Sequence, residues 1–279
     1  MRGGDIGVLG PDHATVAQSH NNLGNALLFA GDLVGAEAEY RLGLDGRTRA
    51  LGPDHPDVAA SHHSLGNVLA QQGKDEASLG EFELAIALRE RALGADHPDV
   101  TASRFGRANA LYNRRAYAEA EAEYAAVLAA WERSLGPDHP DVATARFSLA
   151  NARYYQDRWA EAEVDYRRAL DLRVAALGGE HPHVAASAFG LAQALESLGR
   201  TAEAITYYEQ AIAIHDRTTA PAGALAEAEL GLARVLWATP SQRARARTLA
   251  STACDAFAKG GELEASAAQD CAAWRARHR

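Results

Sequence analysis

Leu51–Ala59 reads LGPDHPDVA. The stretch returns as LGPDHATVA at Leu9–Ala17, LGADHPDVT at Leu93–Thr101, LGPDHPDVA at Leu135–Ala143 and LGGEHPHVA at Leu177–Ala185. Each start lies 42 residues from the last, without a slip. A fixed period of this length predicts stacked supersecondary units that share one continuous core. Within the stretch, Leu closes one helix and Gly suits a left-handed C-terminal cap. Pro then stops helix continuation. Asp54 or His55 can cap the next helix, with Pro56 in its first turn, where a missing N–H costs little. Asp57 adds negative charge at the positive helix end.

Between these loops every unit reads as two helices. Val58, Leu65, Gly66, Val68 and Leu69 form an apolar stripe at helical spacing, Gly73 interrupts it, and Ala77, Phe82, Ile86, Leu88 and Leu93 begin a second. The break column is Gly31, Gly73, Arg115, Asp157 and Gly199, mostly residues suited to a turn. In the second helices Ala36, Ser78, Ala120, Ala162 and Ala204 supply a small residue for close approach. Tyr40, Phe82, Tyr124, Tyr166 and Tyr208 put an aromatic four residues on, on the same face. Leu44, Ile86, Leu128, Leu170 and Ile212 extend that stripe by a turn. No apolar alternation at period two appears, so an all-α chain is expected.

Bulk properties narrow the function classes. The net charge of −9 argues against coating nucleic acid, which needs a basic surface. The opening MRGGDIGVLG lacks the apolar run of a signal peptide, and no window approaches the ~18–20 apolar residues of a membrane span. Only Cys254 and Cys271 occur, which fits a reducing compartment better than a disulfide-stapled secreted domain. Cys254 falls in the Leu44 column and reads as a small buried apolar residue. A cytoplasmic protein is the expectation.

These columns resemble the tetratricopeptide repeat: Leu65-Gly66, Ala77 or Ser78 and Phe82 fall near that family's Leu-Gly, Ala and aromatic positions. The long period and the LGPDHP loop are similar to the subtype of kinesin light chains and many bacterial proteins. Arg107 stands where the family has Leu. The resemblance implies a right-handed α-solenoid: residues 1–8 as the remnant of a preceding repeat, 9–218 as five repeats, 219–260 as a degenerate sixth, and 261–279 as a capping helix. Leu230-Gly231 falls in the Leu-Gly column, with helices expected near Ala222–Ala238, Ser241–Phe257 and Glu262–Arg277. A start inside a repeat suggests that an upstream domain belongs before residue 1; bacterial serine/threonine kinases with such tails resemble one parent.

Chemistry is sparse. GxSxG, GxxxxGK[ST], HExxH and CxxC are all absent, so no enzymatic activity and no cofactor are expected. His13, His55, His97, His139 and His181 recur once per repeat and cannot converge on one ion, because packed helix axes lie ~8–10 Å apart and zinc ligands must reach ~2.0–2.1 Å. Their expected role is a loop hydrogen bond. His62-His63 occupy adjacent helix positions, which point apart.

The first helix of each unit carries the sharper signal. Asn25, Asn67, Asn109, Asn151 and Gln193 form a carboxamide column. One turn before it run Asn21, His63, Phe105, Phe147 and Phe189; three residues after it run Leu28, Ala70, Tyr112, Tyr154 and Glu196. Spacing of three to four places all three on one helix face. By the family resemblance this face lines a concave groove, where a carboxamide can pair with a peptide backbone. The alternative is that the Asn row bridges helices and the Phe column is core. Arg104, Arg107, Arg114 and Arg115, then Arg146, Arg153 and Arg158, suggest a ligand with acidic residues around an apolar anchor, unless these arginines pair with neighbouring acids. The resemblance thus implies a non-catalytic scaffold binding a protein or peptide; the alternative is a regulatory or oligomerising tail without a ligand of its own. The oligomeric state is left open.

Overall fold

The structure, a computed structural model, describes residues 14–218, 222–260 and 264–278. The remnant at 1–8, His13 and part of the sixth loop lie outside the described residues. Two compact units divide the chain, Met1–Ser134 and Leu135–Arg279. The first holds α1 (Ala14–Phe29), α2 (Leu33–Leu51), α3 (Pro56–Gln71), α4 (Asp75–Leu93), α5 (Pro98–Asn113) and α6 (Tyr117–Leu135). The second holds α7 (Pro140–Tyr154), α8 (Trp159–Leu177), α9 (Pro182–Ser197), α10 (Thr201–Arg217), α11 (Ala222–Trp237), α12 (Arg243–Lys259) and α13 (Ala265–Arg277). No strand occurs among the described residues. In each unit, helices adjacent in sequence pack together, pair upon pair.

The loop chemistry explains the regular boundaries. Gly52, Gly94 and Gly178 adopt φ of 88, 88 and 82° with ψ of 158, 155 and 157°. This is an extended, positive-φ conformation rather than the expected left-handed helical one, and it is essentially reserved for glycine. The histidine, not the aspartate, is the N-cap. Nδ1 of His55, His97, His139 and His181 accepts the backbone N–H two residues on at 3.1, 3.1, 3.2 and 3.1 Å. Proline follows at the first helical position in all four. A ring nitrogen here satisfies a donor that helix geometry leaves orphaned. In the shorter turn inside each pair, the break column has positive φ throughout: 82° at Gly31, 71° at Gly73, 62° at Arg115, 58° at Asp157 and 73° at Gly199.

The aromatic column is the core. Tyr40, Phe82, Tyr124, Tyr166 and Tyr208 are each at most 2% exposed. Glycine lets the first helices approach these rings. A Cβ on Gly66 would meet Phe82 at 3.1 Å, one on Gly190 would meet Tyr166 at 2.6 Å, and one on Gly231 would meet Tyr208 at 2.5 Å. Gly231 therefore packs on the preceding pair's tyrosine as Gly190 does. It does not hold the Gly66 position that the sequence reading gave it.

An arginine clamp joins consecutive pairs. Arg47 Nη1 donates to the Asp57 carbonyl at 2.9 Å and to Ser61 Oγ at 2.7 Å. Arg89 repeats this with Asp99 and Ser103 at 2.8 and 2.6 Å, and Arg173 with His183 and Ser187 at 3.1 and 2.8 Å. All three guanidinium groups are buried, and burial lowers their pKa values, that of Arg173 to about 10. The clamp skips Trp131, which packs on Phe105 at 5.1 Å between ring centroids.

The C-terminal region corrects two expectations. A 3-10 turn at Pro240–Gln242 delays α12 to Arg243, and α13 begins at Ala265. Cys254 and Cys271 are bonded, with Cα atoms 5.4 Å apart, so the reading of unpaired thiols is overturned. Cys254 is buried as its column requires, but α13 lays Cys271 directly against it. Trp274 of α13 packs on Trp237 of α11 at 5.7 Å.

Candidate functional site

Three members of the carboxamide column are bonded to their own second helix. Tyr40 donates its hydroxyl to Asn25 Oδ1 at 2.7 Å, Tyr124 to Asn109 at 2.6 Å, and Tyr166 to Asn151 at 2.6 Å. Each bond occupies one of the two lone pairs on the amide oxygen and leaves the NH2 donors uncommitted by it. In the second pair the residue equivalent to these tyrosines is Phe82, which has no hydroxyl to offer Asn67. At the fifth position the pattern shifts: Tyr208 donates to Glu196 Oε2 at 2.5 Å instead of to Gln193. Burial first, then the Glu196 charge, raises the Tyr208 pKa, which keeps the phenol a donor.

The column one turn earlier is packed more deeply. Asn21 is buried; its Nδ2 donates to the Ala17 carbonyl at 3.0 Å and its Oδ1 accepts from Ser61 Oγ at 3.4 Å. His63 lies edge-on to Phe82 at 5.6 Å, with Nδ1 3.3 Å from Ser103 Oγ. Burial, then the Arg89 charge, lowers its pKa to about 4. Phe105 lies 5.7 Å from Tyr124, Phe147 5.6 Å from Tyr166, and Phe189 5.9 Å from Tyr208, each ring half-buried. Arg173 sits over the Phe147 ring at 4.4 Å. His62 turns the other way, its Nδ1 2.6 Å from Glu81.

Six of the seven arginines singled out on this stretch form ion pairs within the fold. Arg104 reaches Glu90 at 2.6 Å and Arg114 reaches Glu76 at 2.7 Å, while Arg107 pairs with Glu123. Arg146 and Arg153 converge on buried Asp165 at 3.2 and 2.6 Å. Arg158 pairs with Glu161. The positive charge that pointed to an acidic ligand is thus largely neutralised by neighbouring acids.

What the second unit does bring together is a cleft of about 470 Å³. The first-helix face supplies Tyr154, Phe189 and Gln193, with Glu196 one turn on. Tyr208 and Gly231 form part of its lining, and Glu227 and Arg234 of α11 line it too. Ala267 and Asp270 come from α13. Tyr112, by contrast, stands in the first unit, 5.4 Å from Tyr117. The α13 contribution was missed in the sequence because that helix lies outside the repeat and has no column to align.

The tetratricopeptide repeat profile matches residues 15–91, 99–173 and 148–217. The chain belongs to the tetratricopeptide repeat family. A Podosopora anserina kinesin-light-chain-type protein of nearly identical TPR-like repeats is 25% identical, with a TM-score of 0.64 over 74% of this chain and 98% of that one. BtubC (BKLC) of P. vanneervenii is 20% identical, with a TM-score of 0.64 over 73% and 81%. A Rap protein solved in complex with Competence and Sporulation Factor is 14% identical, with a TM-score of 0.64 over 93% and 76%. No match was found among curated protein sequences. The tetratricopeptide subtype is the kinesin-light-chain-like one, an all-α stack of helix pairs, as the 42-residue loop spacing implied. No helix among the described residues is long and apolar enough to cross a membrane.

Proposed function

We propose that this tetratricopeptide protein is a non-catalytic scaffold whose first-helix face binds an extended segment of a protein partner. The observation that carries the reading is the cleft in the second unit, where Tyr154, Phe189 and Gln193 meet at one opening. An open space of this size fits a side chain and its flanking backbone, and clefts of ≈300–1,000 Å³ are the usual size for ligand sites. The amide of Gln193 accepts no tyrosine hydroxyl, unlike Asn151, so both its donors and its acceptor can serve a peptide group. Asn109 and Asn151 offer NH2 donors from their own faces. The Rap protein complexed with Competence and Sporulation Factor supplies a precedent for such a fold holding a ligand. The disulfide favours an oxidising compartment over the cytoplasm.

Isothermal titration of peptides selected on the full chain tests the reading. Tyr154→Ala with Gln193→Ala should weaken binding about tenfold or more, the loss of one hot-spot contact and one amide pair. Unchanged affinity in a folded double variant would remove the cleft from the binding surface.

A further inference from the structure

The cleft is more acidic than its tyrosine and amide residues require. Glu196, Glu227 and Asp270 stand around it, from three different helices, with Arg234 as the single basic residue in its lining. Its walls are aromatic as well: Phe189 is half-buried, and Tyr155, packed edge-on against Tyr154 at 5.5 Å, stays 55% exposed. These two features select among ligands. An acidic side chain would meet three carboxylates and one guanidinium, an unfavourable balance. A purely apolar side chain would strip water from the carboxylates without replacing their hydrogen bonds. A planar cation satisfies both walls, since a guanidinium forks onto carboxylates and stacks on aromatic faces.

We infer that the cleft between α9, α11 and α13 receives an arginine side chain of the bound partner segment. The inference rests on the proposed binding role of this face and specifies its chemistry. Glu227 keeps surface access, yet the protein atoms around its carboxyl partly strip it of water, and this desolvation, then repulsion from Glu264, raises it above its usual range. A guanidinium bound beside it would offset the repulsion and replace lost water with charge-assisted hydrogen bonds. The arginines of the repeats do not provide this charge internally, because Arg146 and Arg153 are bonded to Asp165 and Arg200 to Glu163 and Glu203. The net charge of −9 adds a long-range attraction of the same sign.

The test is selection of a random-peptide display library on the immobilised full chain. Enriched peptides are then resynthesised with each arginine replaced by citrulline, which keeps the shape and removes the charge. The expected result is one recurrent arginine whose citrulline version binds about tenfold more weakly or worse. That ratio should fall to about threefold or less in Glu227→Gln with Asp270→Asn, both exposed positions whose replacement leaves the fold intact. Enriched peptides without a recurrent arginine, or citrulline versions that bind equally well, overturn the inference and leave the groove reading standing. A lysine in place of the arginine overturns the guanidinium specificity. The absence of any enriched peptide overturns both.

Discussion

At the residue scale, one side chain departs from its column in a way that acid should expose. His63 stands where later repeats have Phe105, Phe147 and Phe189. Its pKa in the fold, about 4, lies below the ordinary 6.5. The unfolded chain therefore binds the proton first as pH falls. Stability from this site is complete above about pH 6.5 and declines towards pH 4, by up to roughly 3 kcal/mol. Denaturant titrations of His63→Phe should show a shallower loss across that window than the parent chain. Equal slopes would mean that His63 is not held neutral by its packing. A second departure is Arg115, the basic member of an otherwise turn-favouring column, at φ 62°. A side chain there carries strain that glycine avoids, against the greater freedom glycine gives the unfolded chain. Arg115→Gly should stabilise by about 0.5–1 kcal/mol, read as a rise in the denaturant midpoint at constant slope. A fall in the midpoint would contradict the strain argument.

At the element scale, the loop was legible and the contacts it organises were only partly so. LGPDHP specifies its own backbone: a positive-φ glycine, an N-cap and a proline at the first helical position are local requirements, so each repeat states them in sequence. The choice between Asp54 and His55 as cap was not local, because it depends on which side chain the turn aims at the open N–H groups. The arginine clamp left a signal that went unused. Arg47, Arg89 and Arg173 each precede a serine by fourteen residues, at Ser61, Ser103 and Ser187. Surface-type residues at one column usually mean a solvated face, and only the helix packing shows these to be buried. The tyrosine–asparagine bonds were hidden for a related reason. Both columns were visible, but a separation of fifteen residues across a turn does not reveal which faces meet.

The C-terminal helix was the least legible element, since no repeat constrains it. Its attachment is testable. The Cys254–Cys271 bond closes a span of 17 residues. By the chain-entropy argument, Cys254→Ser with Cys271→Ser should cost about 3 kcal/mol of the second unit's stability. Amide exchange should rise most in α13, which is otherwise held by Trp274 against Trp237, by the Arg275–Asp255 pair and by the packing of Ala267 and Ala268 on the core. A double variant with unchanged exchange in α13 would show that these noncovalent contacts hold the helix without the bond.

At the scale of the molecule, the repeat makes stability a sum of similar neighbour contacts, while the proposed binding cleft lies where the repeat ends. The five carboxamides differ in what remains free: three have bonded tyrosines, Asn67 has a phenylalanine in the tyrosine's place, and Gln193 has lost the bond to Glu196. The periodic columns thus define a face, and the irregularities within them mark the proposed site. The central claim is that this face of the second unit is where a partner binds. Its most direct test is an NMR perturbation map of the full chain titrated with a selected peptide. The account predicts the largest shifts at Tyr154, Tyr155, Phe189, Gln193, Glu227 and Asp270. Shifts confined to the second-helix surface around Val164 and Leu84 would contradict it.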